Sequence, residues 1–85
     1  MAQWQKLLDR VLGGRADYNI RFSDLRGLLR RLGFDERIRG DHHIFTRANV
    51  REILDLQPEH DGKAKSYQVR QVRGILRKYG LTHVS

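Results

Sequence analysis

Trp4, Leu7, Leu8, Val11 and Leu12 recur at helical spacing, which predicts an amphipathic helix over residues 3–12. Gly13-Gly14 ends it, and residues 15–21 read as a loop with turn-prone Asp17 and Asn19. Leu25, Leu28, Leu29 and Leu32 form a second stripe, with Ser23 as N-cap, Asp24 in the first turn and Gly33 at C′. Gly27 inside this helix costs ~1 kcal/mol relative to alanine, which points to close approach by a neighbouring element. The period then changes from helical to alternating. Residues 34–39 and 42–47 predict a hairpin about Gly40-Asp41. Ala48-Asn49 makes a second turn, and residues 52–56 a third strand with Leu54 and Leu56 inward, closed by Pro58. After a polar loop over residues 59–65, Val69, Val72, Ile75, Leu76 and Tyr79 predict a last helix, capped by Ser66 and ended by Gly80. Helix, helix, three antiparallel strands, helix is the order of a two-layer α+β domain. The second and third helices are expected on one face of the sheet, with an extra N-terminal helix.

Composition narrows this picture. At 85 residues there is room for one domain, and 39% hydrophobic content is enough for a core. Cysteine is absent, which excludes disulfides and thiolate metal sites. The first residues lack the apolar run of a signal peptide and no stretch approaches a membrane span, so a soluble, cytoplasmic protein is expected. The net charge of +7 is unevenly placed: every acidic residue lies at or before Asp61, while Lys63, Lys65, Arg70, Arg73, Arg77 and Lys78 follow it. An isolated basic run is usually a solvated helix face. Beside a candidate acid–base residue, nucleic acid is the better expectation.

That residue is His42, in the stretch Arg39-Gly40-Asp41-His42-His43-Ile44-Phe45. It sits where the turn becomes a strand, with Arg37 and Arg39 nearby, and imidazole titrates near neutral pH. His42 and His43 are adjacent in a strand and should point to opposite faces, so they cannot converge on one metal ion. No metal or cofactor is expected. The chain has no phosphate loop and no serine or cysteine nucleophile motif. Cleavage of RNA by its own 2′-hydroxyl needs neither, because the protein has only to move protons and stabilise charge. Such a reaction leaves a 2′,3′-cyclic phosphate and fails on DNA. Gly40 and Asp41 would support the hairpin, and Arg37, Arg39, Lys63, Lys65, Arg70, Arg73 and Arg77 are the expected RNA contacts.

Three pieces together resemble the HicA toxins: residues 22–34, FSDLRGLLRRLGF; residues 40–45, GDHHIF; and residues 68–81, QVRQVRGILRKYGL. The resemblance spans residues 22–81 as a core, leaving residues 1–21 as an N-terminal extension of a single domain over 1–85. It implies a double-stranded-RNA-binding-domain-like fold, an endoribonuclease acting on messenger RNA, and inhibition by a HicB-type antitoxin protein. It also implies that His42 is the catalytic histidine, with His43 as the fallback; no membrane partner is expected, and no DNA for the protein on its own. The family's usual serine is Asp41 here. An acid at that position either orients the imidazole or repels the incoming phosphate. Two other readings stand beside this one: a non-catalytic RNA-binding module of the same fold, and an interaction domain that contacts only protein.

Overall fold

In the computed structural model, which describes residues 3–84, the elements are α1 (Gln3–Gly13), α2 (Phe22–Arg31), β1 (Asp35–Arg39), β2 (His42–Arg47), β3 (Val50–Leu56) and α3 (Ser66–Lys78). Their order is the one the hydrophobic pattern predicts. The starts of α2 and α3 differ from it in detail. α2 begins at Phe22 with Arg21 at the N-cap and no side-chain cap, so Ser23 lies inside the helix. The exposed amide of Phe22 is instead satisfied by the carbonyl of Gly62 at 2.9 Å, and Arg21 bridges to Lys63. α3 likewise has Lys65 at the N-cap, extended after Ala64 bonds Ile20, which makes Ser66 the first helical residue. β3 starts at Val50, two residues before the position expected.

The three-stranded sheet is antiparallel in the order β1-β2-β3. Gly40 alone takes a positive φ (60°) in the first turn, the type II′ pattern that matches strand twist. Asn49 takes φ 70° in the second, a conformation asparagine tolerates. Phe45, Leu54 and Leu56 point to one face and are fully buried in a core shared with Leu25, Leu28 and Leu29 of α2 and Val69, Val72 and Leu76 of α3. Arg37, Arg39, His42, Ile53 and Asp55 alternate with inward residues and line the opposite, open face.

α1 packs against both α2 and α3. Its Leu8 and Val11 are fully buried, each stabilising by roughly 1.5–3 kcal/mol, so the N-terminal extension is part of the core. The neighbour that Gly27 accommodates is Trp4: a Cβ on Gly27 would fall 2.9 Å from Trp4 Cζ3 and closer still to Cη2. Among the described residues, no helix is long and apolar enough to cross a membrane.

Candidate active site

The hairpin sends its two histidines in opposite directions. His43 turns toward the helices and its side chain is only 13% exposed. Its Nδ1 donates to Glu36 Oε2 at 2.7 Å, and its ring meets Phe22 edge-on with centroids 4.9 Å apart. Glu36 also receives Arg26 at 2.6 and 3.2 Å and Arg30 at 3.4 Å. Burial would push the Glu36 carboxyl up, but the hydrogen bonds from Arg26 and His43 outweigh it and leave the group below the ordinary glutamate value. His43 is therefore a fixed joint between β1, β2 and α2.

His42 faces the open side and is 49% exposed. Arg39 is its cross-strand partner, and Arg37 lies two residues further along the same face. Its Nδ1 lies 3.0 Å from Asp55 Oδ1 of β3. Its Nε2 lies 3.4 Å from the Gln57 amide nitrogen and 4.0 Å from Asp41 Oδ1. A groove of about 460 Å³ runs along this face past Arg37, Arg39, Ile44 and Ile53. At the turn end, Asp41, Gln57, His60 and Lys65 border a second depression of about 280 Å³. Gln57 is held from behind. The buried Gln68 amide, oriented so that its nitrogen faces an acceptor, bonds both backbone groups of Gln57 at 2.9 and 3.1 Å.

The seven basic residues expected at RNA divide into separate groups. Arg37 and Arg39 share the sheet face of His42, and Lys65 borders the depression at the turn with Asp41 and Gln57. Lys63 is half-buried in the loop that pairs with Arg21. The row on α3 points elsewhere. Arg73 bonds both oxygens of Asp17 at 2.9 and 3.1 Å and the carbonyl of Val11 at 3.0 Å. Arg77 bonds the carbonyl of Leu12, and Arg70 stays exposed on the same helix. The cause is the C-terminus of α1, whose last carbonyls have no helical partner and carry the negative end of the helix dipole. Two arginines of α3 supply the missing donors. The Arg73 hydrogen bonds hold the Asp17 carboxyl below its ordinary range, and Asp17 in turn raises Arg73.

Comparison with protein-family models, with curated proteins and with solved structures finds no match to this chain.

Chemically, the open face offers one exposed imidazole, two guanidinium groups beside it and a lysine at the turn. That set can move a proton and neutralise a phosphodiester. Among the described residues, no group of three or more histidine, aspartate or glutamate side chains could hold a metal ion. Sequence reasoning missed Asp55, Gln57 and Gln68. Asp55 was accessible in principle: it lies between two inward leucines, so it must share the outward face of His42. Gln68 carries no such signal, because a glutamine on a buried helix face looks like a boundary residue.

Proposed function

We propose that this protein is a metal-independent endoribonuclease of the HicA toxin type, with a double-stranded-RNA-binding-domain-like fold, acting on messenger RNA in the cytoplasm. His42 is its acid–base residue. The observation that carries the reading is the half-exposed imidazole at the turn, on an open sheet face, with Arg39 directly across the ladder and Arg37 next to it. In this reading the scissile phosphate lies over β1 and β2, where the arginines neutralise its charge. His42 Nε2 takes the proton of the 2′-hydroxyl as the 2′-oxygen bonds to phosphorus. The bond from phosphorus to the 5′-oxygen breaks, and that oxygen takes a proton from the imidazolium or from water. The products are a 2′,3′-cyclic phosphate and a 5′-hydroxyl. A HicB-type antitoxin would inhibit by covering this face and competing with RNA for the same cations.

A side chain in such a role contributes roughly 10²- to 10⁴-fold in rate. His42→Ala should therefore abolish most cleavage while circular dichroism and antitoxin binding stay near wild type. His43→Ala should lower thermal stability, since it leaves Glu36 short of a donor. Both variants and the wild type are assayed on one RNA, with the ends mapped. If His42→Ala cuts like the wild type and His43→Ala is dead, the role moves one residue. Tight RNA binding without cleavage by the wild type would favour a non-catalytic RNA-binding module.

A further inference from the structure

We infer that Asp55 is the positioning residue of the site. It holds His42 in the tautomer that carries its proton on Nδ1 and presents the Nε2 lone pair to the open face. The inference rests on the ribonuclease reading for its catalytic half and on geometry for the rest.

Asp55 lies between Leu54 and Leu56, both fully buried, so the packing of β3 fixes the direction of its side chain. The carboxylate oxygen is 3.0 Å from His42 Nδ1. An ionised carboxylate only accepts, so the hydrogen must be on Nδ1, and in the neutral ring the lone pair then falls on Nε2. The surroundings of Nε2 agree. Its one hydrogen-bonding neighbour among the described residues is the Gln57 amide, a donor at the long distance of 3.4 Å. A substrate hydroxyl can displace so loose a contact. Asp41 cannot take over the orienting role, because its carboxylate lies on the Nε2 side at 4.0 Å.

The strand register builds this arrangement. Arg47 pairs with Val50, yet Phe45 pairs with Leu54, so β3 advances four residues while β2 goes back two. A shift by an even number keeps every side chain on its own face. It moves Asp55 opposite Ile44, diagonal to His42, and brings Gln57 level with the ring. The carboxylate and the amide therefore approach the two ring nitrogens from different points.

Stability does not account for the pair. His42 and Asp55 are 49% and 53% exposed, and an exposed ion pair is worth about 0–1 kcal/mol. Orientation of an acid–base imidazole can matter far more. Groups behind a metal-bound histidine that fix its ring are worth roughly 10- to 100-fold, and a buried aspartate orienting an acid–base histidine up to about 10⁴-fold. For a half-exposed carboxylate the lower range applies.

The test is Asp55→Ala, read by nitrogen-resolved imidazole NMR at alkaline pH and by steady-state RNA cleavage. In the wild type His42 should be predominantly the Nδ1–H tautomer. In the variant it should shift toward Nε2–H, with kcat falling roughly 10- to 100-fold and KM within about twofold. An unchanged tautomer in the variant overturns the inference whatever the activity does. A shifted tautomer with unchanged kcat overturns the catalytic half. If the wild type cuts no RNA, the ribonuclease reading fails. The tautomer comparison then still decides whether Asp55 holds His42.

Discussion

At the scale of single residues, Asp41 is the sharpest case. From the sequence it could orient the imidazole or repel a phosphate. Its place on the Nε2 side, 4.0 Å away and 73% exposed, favours repulsion. A phosphate charge brought to within about 4 Å of that carboxylate in water would be repelled by about 1 kcal/mol, a roughly fivefold effect on an equilibrium. Asp41→Ser should therefore raise kcat/KM on RNA by roughly two- to fivefold at low salt, and the gain should shrink above ~0.15 M ionic strength. Initial cleavage rates across a salt series check this, and a loss of activity would show that Asp41 aids the reaction rather than repelling the phosphate. Gly27 shows how far one residue could be read in advance. Its helix-propensity cost signalled a close neighbour, but helical periodicity fixes only which face a residue occupies, not which side chain faces it across an interface. Only the docked position of α1 shows the neighbour to be Trp4.

The elements themselves were largely legible, because helical and alternating periods differ clearly over windows of this length. Three things were not. The helix starts went to Phe22, where the distant Gly62 carbonyl takes the first amide, and to Ser66, where Lys65 is already extended after Ala64 bonds Ile20. The register shift in β2–β3 leaves no mark in the alternation, since it is even. The basic row on α3 had the right spacing, but its surroundings depended on where α1 docks, which periodicity does not give. That last point has a measurable consequence. Arg73 joins α3 to the loop after α1 through Asp17, and the two side chains are only 18% and 9% exposed. Arg73→Met leaves that carboxylate unpaired, which should cost about 2–4 kcal/mol. For a domain of this size the melting temperature should then fall by at least about 8 °C. The salt dependence of RNA affinity should stay as in the wild type. Replacing Arg37 and Arg39 by glutamine should instead flatten that dependence by roughly 0.7 in log–log slope for each phosphate no longer neutralised. Titrations at several salt concentrations separate the two groups, and a flattened slope for Arg73→Met would place RNA on α3 after all.

For the whole molecule, three carboxylates add polar joints between elements: Asp17 to α3, Glu36 between β1, α2 and His43, and Glu52 between β3 and α3. Each lies below its ordinary value. Arg73 lowers Asp17, the Arg26 and His43 hydrogen bonds lower Glu36 against the effect of burial, and Lys78 and Tyr79 bring Glu52 to about 2. A carboxyl depressed in the folded state binds protons more readily when unfolded, so its contribution is complete above the unfolded value and is lost as pH falls through the folded one. With unfolded values of 3.8 for Asp17 and 4.5 for both glutamates, the melting temperature should be nearly flat from pH 7 to about 5 as far as these groups are concerned. It should then fall steeply between about 4.5 and 2 as the three joints protonate and the net charge of +7 rises further. Glu36→Gln isolates the most buried of the three. It removes an ionised carboxylate that accepts from two arginines and a histidine and leaves those donors short. At pH 7 the variant should be less stable by about 2–4 kcal/mol. As pH falls through its depressed folded value the wild-type glutamate itself loses its charge, so the two melting curves should converge toward the acid end. Thermal melts of both proteins at half-unit pH intervals measure the gap directly. A gap that stays constant from about pH 6 to about pH 2.5 would show that Glu36 acts through shape and packing rather than through its charge.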